Sequence, residues 1–140
     1  MDQIDPHSQL EHIVRFLDDL RMETRHLISL LYAKGIWHGS TDTTGDEHLP
    51  VYLARLCERW LPVIRGAIAE RNADILIRRY CLDGQAQSTL KDLGQKYGVT
   101  VERARQLEIL SLNYLRKGGQ REELLQIALD VVDMVVKSLV

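Results

Sequence analysis

Three observations predict an all-α fold, a helical bundle, for this 140-residue sequence. Apolar residues recur at three- and four-residue spacing through every long segment, the period of one helix face. Helix-start residues and stop glycines punctuate those segments. No stretch alternates apolar and polar residues as a half-buried strand does. The apolar fraction, 45%, suffices for a core in a chain of this size.

Residues 1–7 read as a loose end. Ser8 and Glu11 form a capping box that opens one long helix over residues 8–34, stopped by Gly35. Leu10, Ile13, Leu17, Leu20, Leu27 and Leu31 line one face, with Glu11, Arg15, Asp18 and Arg25 opposite. Such a helix spans roughly 40 Å at about 1.5 Å per residue and needs a substantial partner. Residues 36–48, rich in Gly, Ser, Thr and Asp, read as a loop anchored by Trp37. In 49–70, Leu53, Leu56, Cys57, Trp60, Ile64, Ala67 and Ile68 keep helical phase across Pro62. That predicts one kinked helix, or a break near Trp60 with Pro62 at the next first position. Residues 72–82 form a further helix whose Ile75, Leu76, Tyr80 and Leu82 support the next two helices from behind. Asp83-Gly84 is a turn and 85–88 a polar connector.

Residues 89–116, TLKDLGQKYGVTVERARQLEILSLNYLR, hold two helices and a sharp corner. Thr89 caps the first, Leu90 and Leu93 give it an apolar face, and Gly98 ends it in the left-handed conformation. Val99 fills the corner and Thr100 caps the second helix, 101–116. Ala104, Leu107, Leu110 or Ser111, Tyr114 and Leu115 face inward, while Glu102, Arg103, Arg105 and Gln106 face outward in the first turns. This is a helix-turn-helix pattern, whose second helix is expected to enter a DNA major groove.

After Gly118-Gly119, a last helix runs from about residue 121 to 140. Its polar residues Gln126, Asp130, Asp133 and Lys137 make one narrow stripe, and nearly all else is apolar. Such a helix requires cover on most of its circumference. It sits in the core against the 8–34 helix, completes a homodimer, or both; the expectation is both.

The net charge of −2 excludes a polycation, but the charge is unevenly placed. Residues 78–121 hold nine basic and four acidic side chains, a local +5, so the remainder carries −7. A basic module between acidic flanks suits a phosphate-facing surface. Cys57 and Cys81 are too few for a zinc site or disulfide scaffold and read as small core residues. The five histidines lack metal-ligand spacing. No leader peptide or membrane span is legible, and the expected setting is reducing and cytoplasmic. Neither paired carboxylates, a nucleophile motif nor a phosphate-cradling glycine loop is present, so no enzyme, cofactor or metal is expected.

From Arg71 the chain reads RNADILIRRYCLDGQAQSTLKDLGQKYGVTVERARQLEILSLNYLRKGGQREELL. With RYxLDG, TLxxLGxxxGVT, ERxRQxE and a leucine run ending in LRK, it resembles region four of bacterial primary sigma factors, the domain that reads the upstream promoter element. The likeness covers 71–125 without a gap, and none precedes it. It divides the chain into an N-terminal helical segment (1–70), the helix-turn-helix (71–117) and the C-terminal helix (118–140).

Chemistry and resemblance together nominate the contacts. Arg105 suits guanine O6 and N7, Gln106 suits adenine, and Glu102 accepts from cytosine N4 or favours the helix dipole. Arg103 joins them. Val101 stands where the family usually has arginine; it removes one contact but can touch a thymine methyl. Arg71, Arg79, Thr89, Leu90 and Thr100 match phosphate-holding positions. The resemblance also implies a contact with the flap tip of the RNA polymerase β subunit, lined by Tyr80, Leu82, Leu107 and Leu110, residues that read equally as core. Three functions are thus open. They are a sequence-specific transcription regulator on double-stranded DNA, a polymerase-associated factor imitating or competing with region four, and a protein-interaction module without DNA binding.

Overall fold

The computed structural model describes residues 2–39 and 47–139, and every regular element among them is a helix. The order is α1 (Pro6–Asp19), α2 (Arg25–Ala33), α3 (Leu49–Ala67), α4 (Glu70–Arg79), α5 (Leu90–Tyr97), α6 (Val101–Lys117) and α7 (Gln120–Ser138). Residues 40–46 of the expected loop lie outside the described residues, as do residues 1 and 140.

The expected single helix over 8–34 is two. Asp5 rather than Ser8 is the cap: its carboxylate accepts from the Ser8 amide at 3.0 Å, with Pro6 in the first turn. Residues 2–5 are not loose. Ile4 N–H donates to the Gly84 carbonyl at 3.1 Å, and Ala86 N–H to that of Asp2 at 2.8 Å. α1 ends because Arg21 takes the left-handed conformation, φ 64°. Arg21 N–H then donates to Asp18 and Met22 N–H to Leu17, a helix-closing motif usually signalled by glycine. Two later arginines cover the carbonyls at this end: Arg116 donates to Asp19 at 2.6 Å and Arg121 to Leu20 at 3.4 Å.

α3 is one helix through Pro62, which lies on its exposed side, where a lost backbone hydrogen bond is cheapest. It stops at Ala67 instead of running on to 70. Ile68 is extended, and α4 starts two residues later.

The main core joins α1, α2, α3, α4, α6 and α7. Phe16 packs between Trp60 and Tyr80, ring centroids 5.6 and 5.0 Å away. α7 lies along α3, where the Trp60 indole donates to the Leu124 carbonyl at 2.9 Å and the Tyr52 hydroxyl to that of Ala128 at 3.0 Å. Leu124, Ile127, Ala128, Val131, Val132 and Val135 are buried there, and Gln126, Asp133 and Lys137 face out. The cover this helix requires is thus supplied within one chain. A homodimer is no longer needed to provide it.

Cys57 and Cys81 are free and buried. Burial pushes their thiols up to about 12 and about 11, so neither is a reactive thiolate at neutral pH.

Candidate nucleic-acid interface

A second, small cluster holds the helix-turn-helix. Ile75 of α4, Leu93 of α5 and Leu107 of α6 are buried together, with Tyr97 against them. So few apolar side chains need help, and the corner supplies it locally. Thr89 Oγ1 accepts from the Asp92 amide and Thr100 Oγ1 from the Arg103 amide, each at 3.0 Å. Gly98 is left-handed at φ 65° and lets Val99 N–H reach the Gly94 carbonyl at 2.9 Å. Gly94 has a separate reason to be glycine: a Cβ there would lie 2.7 Å from the Val99 carbonyl oxygen.

Polar ties do the rest. Asp74 of α4 accepts from Arg78 (2.9 Å), from Lys96 (2.8 Å) and from the Tyr97 hydroxyl, joining α4 to α5. Burial alone would raise the Asp74 pKa, but Lys96, Tyr97 and Arg78 together hold it below the usual carboxylate value. Arg79 ties α4 to α6 and the connector, donating to Glu108 at 3.2 Å and to the Ser88 carbonyl at 2.9 Å.

Arg79 departs from its expected place at the surface: its side chain is mostly buried and committed to partners inside the molecule. The other nominated residues stand at the surface. Val101, Glu102, Arg103, Arg105 and Gln106 are all exposed on the first two turns of α6, while Ala104 and Leu107 on its other side are buried. Glu102 and Arg105 pair at 2.5 Å, and Arg103 reaches Gln106 at 3.4 Å. Hydrogen bonding to Arg105 lowers the Glu102 pKa. Arg71, Thr89 and Thr100 are exposed and Leu90 is half-buried at the start of α5. Next to it, Lys91 is exposed in the same first turn. A cation beside free helix-start amides is a phosphate-holding arrangement. Lys91 stands two residues after the Thr89 cap, a position legible in the sequence.

The inward face of α6 also differs from expectation beyond its second turn. Ser111 is buried, its hydroxyl donating to the Leu107 carbonyl at 2.7 Å, whereas Leu110 and Tyr114 are 53% and 57% exposed. Of the four expected polymerase-contact liners, Tyr80, Leu82 and Leu107 are core residues. Tyr80 also donates to Asp19 of α1 at 2.6 Å. Only Leu110 is available at the surface, beside a groove of about 500 Å³ lined by residues 66–69, Asn72, Ser111 and Tyr114.

No helix among the described residues is long and apolar enough to cross a membrane. Residues 66–117 match the family model described as sigma-70, region 4. The RNA polymerase principal sigma factor HrdC of Streptomyces coelicolor is 45% identical over 60 residues, 43% of this chain and 18% of that protein. The RNA polymerase sigma factor SigA of Nostoc is 39% identical over 56 residues, 40% of this chain and 14% of its own length. SigA1 of Synechococcus elongatus is 40% identical over 53 residues, 38% of this chain and 13% of its own. The chain thus spans less than a fifth of the length of these relatives. No solved structure matches. Residues 66–117 are a sigma region 4-like helix-turn-helix, set in this chain among the helices α1, α2, α3 and α7.

Proposed function

We propose, from the sigma region 4-like helix-turn-helix at residues 66–117, that this chain is a sequence-specific DNA-binding transcription regulator. The front of α6 enters the major groove. The observation that carries this reading is the exposure of Val101, Glu102, Arg103, Arg105 and Gln106 together on two turns whose reverse side is buried. Arg105 reads guanine, Gln106 adenine, and Glu102 both holds Arg105 in place and accepts from cytosine N4. Arg71, Lys91, Thr100 and the amides after Thr89 hold phosphates and fix the register. No catalytic role is assigned.

Selection of bound duplexes from a random pool tests this. The expected result is one enriched motif, bound with an affinity that falls as salt rises. Retention of all sequences alike would overturn base reading.

A second reading, an RNA polymerase-associated factor, is favoured by the similarity to RNA polymerase sigma factors and by the exposed Leu110 and Tyr114. It cannot run through Tyr80, Leu82 or Leu107 while these are buried in the chain's own core. Co-purification of the parent and of Leu110→Asp with core polymerase separates the two: an association lost in the variant supports it, and none in the parent removes it.

A further inference from the structure

We infer that Val101 determines specificity by selecting thymine over cytosine, through the thymine 5-methyl group, one or two base pairs from the guanine that Arg105 reads. This rests on the major-groove reading above and adds a named base and register to it. Val101 is the first residue of α6 and is 50% exposed. Thr100, Glu102, Arg103, Arg105 and Gln106, the other exposed residues of that front, are all polar. Val101 is thus an isolated apolar group on an otherwise hydrogen-bonding surface, and it has no polar atom of its own to satisfy.

The major groove offers such a side chain one apolar partner, the 5-methyl of thymine; the other base edges present donors and acceptors. Facing cytosine, Val101 would cover the N4 amino group without accepting from it, leaving a desolvated donor. Facing thymine, it buries a methyl. Discrimination therefore has both an attractive and a repulsive part.

Position on the helix sets the register. Residues four apart stack on one helix face, so Val101 lies one turn from Arg105 towards the helix start. One turn is about 5.4 Å along the axis, and one base step is about 3.4 Å. The methyl that Val101 meets thus belongs to a base pair one or two steps from the guanine of Arg105.

The experiment uses the full chain and the duplex enriched in the selection. Each thymine is replaced in turn by deoxyuridine, which removes only the methyl. Binding is measured for the parent, for Val101→Ala and for Arg105→Ala, with helicity compared by circular dichroism. One thymine, one or two pairs from the guanine whose recognition Arg105→Ala abolishes, should lose about fourfold in affinity on replacement, the worth of one buried methyl group. Val101→Ala, which lacks both γ-methyls, should lose most of the sensitivity to that replacement. Cytosine at the same place should bind the parent more weakly still, and 5-methylcytosine should recover part of the loss. Absence of any deoxyuridine-sensitive position in a specifically bound site would overturn the inference while leaving base reading by Arg105 intact. So would a penalty that persists undiminished in Val101→Ala. If Arg105→Ala binds every sequence as the parent does, the major-groove reading itself fails, and this assignment falls with it.

Discussion

Two parts of this molecule are held together in different ways. The bundle of α1, α3 and α7 is built on large buried side chains: Phe16, Tyr52 and Trp60 are fully enclosed, and two of them donate hydrogen bonds to α7 carbonyls. The small cluster that holds the helix-turn-helix has three buried apolar residues, Ile75, Leu93 and Leu107. Its geometry is fixed instead by caps, a glycine contact and the polar ties of Asp74 and Arg79. Buried area secures the first, and directional contacts secure the second. The part expected to touch DNA is therefore the part whose shape depends on single atoms.

Mutations should divide along that line. The largest effect is expected at Trp60→Ala, which empties a core site and leaves the Leu124 carbonyl without its donor. A loss of about 3–5 kcal/mol is expected, seen in denaturant unfolding as one transition of the whole chain. Gly94→Ala should cost about 1–3 kcal/mol, because its Cβ meets backbone rather than a movable side chain. Hydrogen exchange should show the loosening in α5 and α6, with α3 and α7 protected as in the parent. A variant that weakens both parts equally would erase the distinction between them.

Asp74→Asn should remove about 1–3 kcal/mol of charge-assisted hydrogen bonding. It also carries a pH signature. The folded pKa of Asp74 lies below its ordinary value of 3.8. The carboxylate's contribution is thus fully present above that value and is lost as pH falls through the folded pKa. The parent should lose stability below about pH 4 faster than Asp74→Asn does, measured by urea unfolding at a series of acidic pH values. Thr100→Ala should cost about 1 kcal/mol, the worth of an N-cap, and fray the start of α6 alone.

How much of this was legible obeys the same division. The helix-turn-helix is written in neighbouring residues. Thr89, Gly98 and Thr100 declare its caps and corner, and α5 and α6 begin and end within one residue of the reading. The bundle's departures are set by distant partners. Arg21 ends α1 in a conformation glycine normally signals, and the carbonyls it frees are met by Arg116 and Arg121, about a hundred residues on. The internal engagement of Arg79 is not legible locally because its partner Glu108 lies 29 residues away. The choice between Leu110 and Ser111 as the inward residue was open at helical spacing. Packing settles it for Ser111, whose hydroxyl turns back to the Leu107 carbonyl and can be buried without a partner from elsewhere.

The smallest effect on the fold and the largest on function should fall on the same residues. Arg105 and Gln106 are exposed and hold nothing in the core, so replacing both with Ala should shift stability by less than about 0.5 kcal/mol. The decisive measurement is the affinity of parent and double variant for the selected duplex and for a scrambled one. The double variant should lose its preference, on the order of 1–3 kcal/mol per base contact removed, while binding scrambled DNA as the parent does. A double variant that keeps the full preference would contradict the account at its centre, because the exposed front of α6 would then not be what reads the DNA.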